Sequence, residues 1–220
     1  MKKLNGIAFL LAFLITACAA TAFFISYQTE GSLMTYRGFA VDQAGRLYLG
    51  KDLGKVYVYQ NSEKVQTIEF PTSGNYAFII TDDNELALLR GYTLSYYSIL
   101  DGKNGGIVWN RTLPVEESPY QSSTSFYRTY EKRKDCEGAD GHRYQLTSSM
   151  LYTTFSNETG IVLQLRNNRL ISLAFCLIGL ILLTVFIILV FQKKISMHKD
   201  SLITMACRRV LRGQDKKRRV

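Results

Sequence analysis

The amino-acid sequence predicts a mainly β, antiparallel domain carried between two transmembrane α-helices. Two uncharged apolar runs, Leu4 to Thr29 and Leu170 to Gln192, each exceed the roughly 20 residues that cross a bilayer core as helix. All 14 tyrosines fall at residues 27 to 152, 13 of them between the runs, in stretches that alternate with the period of two expected of strands. Charge is segregated in the same way. Residues 193–220 hold ten Lys or Arg against two Asp, a net +8, whereas residues 28–168 hold 14 basic against 16 acidic residues. The whole-chain charge of +9 and pI near 9.4 therefore belong to the ends and give no reason to expect nucleic acid as a partner.

Residues 1–3 carry Lys2 and Lys3, and residues 193–220 carry the basic tail. Because Lys and Arg flanking a span are retained on the cytoplasmic side, both termini are expected inside, with the middle exoplasmic. The first span, residues 4–29, is expected as an uncleaved signal-anchor. Two processing alternatives stand beside it. Ala20-Thr21-Ala22 fits a small-x-small cleavage site, and Ile15-Thr16-Ala17-Cys18 resembles the lipobox of bacterial lipoproteins, which implies lipidation of Cys18. Ala8, Ala12, Thr16 and Ala20 set small side chains four apart along one helix face, a pattern that lets helices approach closely in lipid. That face is expected either on the second span, residues 169–192, with its Ser172, Cys176 and Gly179, or on another copy of the first. In the tail, Leu202, Ile203, Met205, Ala206, Val210 and Leu211 recur at helical spacing beside Arg208, Arg209 and Arg212, as in a short interfacial amphipathic helix. With Lys193 and Lys194, these arginines are the expected contacts to anionic lipid headgroups, each worth about 1 kcal/mol near the surface.

The four cysteines fall one each in the two spans, the middle and the tail, so an intradomain disulfide and a cysteine-type metal site have no sequence basis. Cys136 is either an unpaired exoplasmic thiol or an intermolecular bridge. Sparing cysteine in the middle points to a bacterial surface, where the sequons at Asn110 and Asn157 mean little.

Within the middle, residues 30–168, Phe39-Ala40-Val41 runs into the turn Asp42-Gln43-Ala44-Gly45, and Leu47-Tyr48-Leu49 runs back. Val56-Tyr57-Val58-Tyr59 and Lys64 to Phe70 complete four short antiparallel strands. The pattern recurs 39 residues on: Tyr76 to Ile80, the turn Asp82-Asp83-Asn84-Glu85, Leu86 to Leu89, then Leu94 to Tyr97. This stretch resembles blades of β-propellers of the NHL/YVTN-like group, in which a strand, an Asp-x-x-Gly turn, a strand and a Tyr-rich third strand repeat. The best match is Phe39 to Leu49. Repeats are expected near 36–72 and 75–112, with a weaker one at 138–166 around Asp140-Gly141-His142-Arg143-Tyr144. Two good copies and one poor one imply blade-like sheets and no closed ring. The insert 114–136, rich in Ser, Thr and Tyr, is expected as a long loop or a decayed strand pair.

No catalytic constellation emerges, and no cofactor or metal is expected. Asp82-Asp83 and Glu116-Glu117 are adjacent pairs suited to solvated turns. The spacing at Asp82 to Glu85 is not that of a calcium loop, and His142 stands alone without a nucleophile elbow. Gly50 to Val56 lacks the Ser or Thr of a phosphate loop. Contact chemistry is the one positive signal. In the insert, Tyr120, Phe126, Tyr127, Arg128 and Tyr130 combine residue types favoured in interfaces with a segment that partners can reach. The expected function is a non-enzymatic membrane-anchored protein whose exoplasmic β-domain binds or senses a protein or envelope partner, or forms a homo-oligomer, at a bacterial plasma membrane. A structural accessory subunit of a transport or secretion complex is the alternative, and a surface lipoprotein lipidated at Cys18 the third.

Overall fold

The computed structural model describes residues 2–71, 74–100 and 106–217, with side chains over 6–71, 74–100 and 106–193. It divides into a helical unit, residues 1–24 and 171–220, and a β unit, residues 25–170.

The helical unit is formed by α1 (Lys2–Gln28) and α3 (Arg169–Lys217). Within them Gly6–Gln28 and Arg169–Lys193 are long and apolar enough to cross a membrane. Both are almost wholly unburied, so neither serves as the core helix of a soluble domain. The two helices meet where the Ser172 hydroxyl donates to the Ala22 carbonyl at 2.8 Å, and where Gly179 faces Cys18. This seam runs through Cys18 and Ala22. Of the small-residue stripe, Ala8 alone borders α3, in a notch of about 240 Å³ with Phe186 and Lys193; Ala12, Thr16 and Ala20 are exposed. The stripe is therefore not the seam with the second helix. α3 also runs unbroken through the basic tail, so the tail helix is a continuation of the apolar helix. The side chains of Lys194, Arg208, Arg209 and Arg212 lie outside the described residues.

The β unit holds three four-stranded antiparallel meanders. β1 (Tyr36–Val41), β2 (Leu47–Lys51), β3 (Lys55–Gln60) and β4 (Glu63–Glu69) form the first sheet. β5 (Tyr76–Ile80), β6 (Glu85–Arg90), β7 (Thr93–Ile99) and β8 (Ile107–Pro114) form the second. The third consists of β9 (Asp135–Glu137), β10 (Arg143–Ser148), β11 (Tyr152–Asn157) and β12 (Gly160–Arg166). The described strands close no ring.

Alternation explains how the sheets stack, because successive side chains leave opposite faces of a strand. Phe39, Val41, Leu47 and Leu49 of the first sheet bury against Tyr144, Leu146, Phe155 and Leu163 of the third. Ala40, Tyr48, Val56 and Val58 bury against Tyr76, Phe78, Leu86 and Leu88 of the second. The first sheet is thus the middle layer, apolar on both faces. Gly50 permits the close approach: a Cβ there would lie 2.6 Å from Phe78 Cε1. The outer face of the second sheet, with Ala87, Leu89, Leu94 and Tyr96, is covered by Val115 and Phe126.

Each sheet begins with the same turn. In the first, Asp42 N–H donates to Arg46 O (3.1 Å), Gly45 N–H donates to Asp42 O (3.0 Å), and Gly45 takes φ 73°. In the second, Thr81 and Glu85 exchange the equivalent bond, and Asn84 takes φ 56°. In the third, Gly138 pairs with His142, and Gly141 takes φ 81°. Asn is among the few non-glycine residues that enter the left-handed region readily, so the second turn keeps its geometry without Gly. The carboxylate of Asp42 is fully buried and accepts from Arg46 Nε (2.6 Å), from the backbone of Ala44 and Arg46, and from the Tyr48 hydroxyl (3.2 Å).

The insert 114–136 corrects the expectation of a loop or decayed strand pair. It contains a short 3-10 turn at Val115–Glu117 and the helix α2 (Ser123–Tyr130), and it ends within β9. Ser122 caps α2, its Oγ accepting from Ser125 N–H at 3.4 Å. Phe126 and Tyr130, four apart, turn one aromatic face inward. Packing on the second sheet stabilises a Ser/Thr-rich segment whose own helix propensity is poor.

Candidate functional site

A groove of about 600 Å³ lies between the outer face of the second sheet and the segment leading into α2. The turn between β5 and β6 brings Asp82, Asp83 and Glu85 to its rim, and Glu117 faces them from the insert. Its walls are aromatic: Tyr96 of β7, Tyr120 before α2 and Tyr130 at the end of α2. Four carboxylates against the single guanidinium of Arg111 leave the lining at −3.

Register places Arg111 opposite Tyr96 in the β7–β8 pair. Its guanidinium carbon lies 4.2 Å from the Tyr96 ring centroid, a cation–π contact. Both of its terminal nitrogens donate to Glu85 at 2.9 Å, and Asn110 adds a bond to the same carboxylate at 2.6 Å. The Arg111 bonds, reinforced by Asn110, hold the Glu85 carboxyl below its ordinary pKa against the opposing effect of burial. Arg111 is thereby committed to Glu85, leaving Asp82, Asp83 and Glu117 to set the sign of the groove.

Tyr120 stacks edge-on against Phe126 (4.9 Å) and Tyr130 (6.0 Å). Burial pushes its hydroxyl up to about 12, so it remains a neutral donor at physiological pH. Of the five contact residues expected from sequence, Tyr120 and Tyr130 line the groove. Phe126 is buried beneath it and acts through packing. Tyr127 points elsewhere, its hydroxyl donating to Asn75 O (3.1 Å) and accepting from Gly91 N–H (3.0 Å). Arg128 is exposed on the far side of the helix. The acidic rim and Arg111 were missed as site residues, because the turn at Asp82 reads as solvent-facing until α2 is set opposite it.

A second polar cluster lies where the chain enters the β unit. Arg37 donates to Asp52 (2.5 Å), Asn75 (2.7 Å) and Glu131 (2.8 Å), tying the first sheet to the second and to α2. Beside it, Lys51 is buried and donates to Ser32 O (2.9 Å) and Thr35 Oγ1 (3.4 Å), in a pocket of about 140 Å³ shared with Glu30 and Lys55. Desolvation pulls the Lys51 ammonium down to about 8, opposed by Glu30 and Asp52. Cys136 is buried in the core between the first and third sheets, and burial pushes its thiol up to about 11. That placement withdraws it from bridging to another chain in the folded state. Among the described residues, no group of three or more His, Cys, Asp or Glu is placed to hold a metal ion.

Comparison with protein-family models, with curated proteins and with solved structures finds no match to this chain.

Proposed function

We propose that this chain is a non-enzymatic, membrane-anchored binding protein whose β-domain captures a protein partner through a cationic segment. In this reading α1 and α3 cross a bacterial plasma membrane, residues 1–3 and 193–220 face the cytoplasm, and the three blade-like meanders stand on the exoplasmic side. The basic tail supports the orientation, and contact of Lys193, Lys194, Arg208, Arg209 and Arg212 with anionic headgroups belongs to the same reading.

The observation that carries the binding function is the groove: three tyrosines and a net −3 lining, with the one arginine already held by Glu85. Carboxylates and π-faces together suit a Lys or Arg side chain, the first through charge and the second through the ring quadrupole. The test is titration of the full chain in nanodiscs with fluorescent pentalysine and pentaglutamate peptides. Pentalysine binds, and replacing Asp82, Asp83 and Glu117 by Asn, Asn and Gln weakens it by about tenfold or more, equivalent to ~1.4 kcal/mol. Equal binding of the two peptides, or no change in the triple variant, contradicts the reading. The uninterrupted 49-residue α3 favours a second reading, an accessory subunit of a membrane complex that docks through its helices. Co-purification from gently solubilised membranes separates the two, since a stable heteromeric complex that survives the groove substitutions supports the accessory role.

A further inference from the structure

The turns joining the second and third strands carry the least expected side chains in the molecule. Leu53, between β2 and β3, is 73% exposed and sits in the left-handed region at φ 64°, a position where Gly or Asn is usual and a branched apolar residue is strained. Tyr92, between β6 and β7, is also 73% exposed. Between β10 and β11, Met150 and Leu151 are 58% and 49% exposed. Met34, just before β1, is 51% exposed. In an antiparallel meander these turns share the end at which the first strand begins, and hydrogen bonds fix two of the three there. Asp52 N–H donates to Thr35 O (2.8 Å), Asn167 N–H donates to Leu151 O (2.6 Å), and Thr153 Oγ1 donates to Gly31 O (2.5 Å). Gly31 follows α1 by three residues in the sequence, and Asn167 precedes α3 by two.

Charge at this end has the matching sign. Arg90, Arg166 and Arg169 lie at or beside these turns, while the nearby carboxylates are held in ion pairs: Asp52 by Arg37, Glu69 by Lys55, Glu30 by Lys64. We infer that this end of the β unit is itself a membrane-docking surface. Leu53, Tyr92, Met150, Leu151 and Met34 insert into the headgroup–acyl boundary, and the basic residues around them face lipid phosphates. Apolar and aromatic side chains ringed by cations are what the interfacial zone of an anionic bilayer accepts.

This inference rests on the anchoring reading above, so its test reports insertion of the helices separately. In a Trp109→Tyr background of the full chain, single tryptophans replace Leu53 or Tyr92, Asn61 at the opposite end, and Phe186 within α3. Each variant is placed in nanodiscs containing phosphatidylglycerol and acyl-brominated phosphatidylcholine. Tryptophans at 53 and 92 are expected to be quenched by the brominated acyl chains at least about twofold more than the one at 61, and shielded from iodide, as suits a depth of about 5–10 Å. The inference is overturned if 53 and 92 match 61 while 186 is quenched. It is also overturned if they are shielded from iodide without lipid quenching, since another protein surface or a second copy then covers the face. Absence of quenching at 186 contradicts the anchoring reading instead.

Discussion

At one end of the β unit the turns between first and second strands expose Gln43, Asp82, Asp83 and His142, and they bury a hydrogen-bonded carboxylate at Asp42. At the other end the turns between second and third strands expose Leu53, Tyr92, Met150 and Leu151, and they bury an ammonium at Lys51. The same meander repeated three times thus presents opposite chemistry at its two ends. Backbone geometry alone does not require this difference, since Gly or Asn would satisfy the positive φ at Leu53 as Asn84 does at the other end. This contrast underlies both proposals, a cationic partner at the first end and a lipid surface at the second.

The largest expected effect breaks the polar end. Asp42→Ala removes a fully buried acceptor shared by four donors, the Arg46 guanidinium among them, so stability falls by about 3–5 kcal/mol, measured by urea denaturation of the full chain in detergent. Tyr48→Phe removes a single hydroxyl from the same carboxylate and costs only about 1 kcal/mol. Equal losses would mean that the turn is not organised around the carboxylate.

Lys51 sharpens the other end through pH. Its ammonium titrates at about 8 in the folded protein against 10.5 unfolded, so between those values the unfolded chain holds more protons and stability rises with pH. Below pH 8 both states are charged and the full cost of burying the charge is present. Lys51→Met is therefore more stable than the parent below pH 8, and the advantage shrinks as pH climbs from 8 towards 10.5. A gap that is flat or widens over that range contradicts the desolvated ammonium.

The smallest effect on folding is the most telling about function. Leu53→Asn suits the left-handed turn and removes an exposed apolar group, so stability stays within about 0.5 kcal/mol of the parent or improves. The same substitution weakens lipid contact, read as reduced quenching of a tryptophan at position 92 by brominated lipid. Retained quenching would leave Leu53 with no part in seating the domain.

Much of the sheet architecture was legible because burial on alternate faces writes a period of two into the residues, and seven of the first eight strands were read from it directly. The third sheet was legible through Asp140 to Tyr144, but β9 was not, being three residues long and placed by packing on β1. α2 was hidden because Ser123 to Tyr130 has low helix propensity, and its cap and aromatic face gain meaning only against the second sheet. For the same reason the groove could be half read: Tyr120 and Tyr130 stood out as accessible aromatics. Glu117 is distant in sequence from Asp82 and Asp83, and nothing local announces that it faces them. The apolar tips were invisible as a set, since a lone Leu53 or Tyr92 is unremarkable until topology puts them at one end.

The orientation of the β unit across the membrane is the claim on which both ends depend. Labelling with a membrane-impermeant maleimide on intact cells tests it directly, with Asp83→Cys reporting the β unit and the native Cys207 reporting the tail. The Asp83→Cys thiol is expected to react on intact cells, and Cys207 only after permeabilisation. The reverse pattern, Cys207 labelled from outside and Asp83→Cys only after lysis, would contradict it.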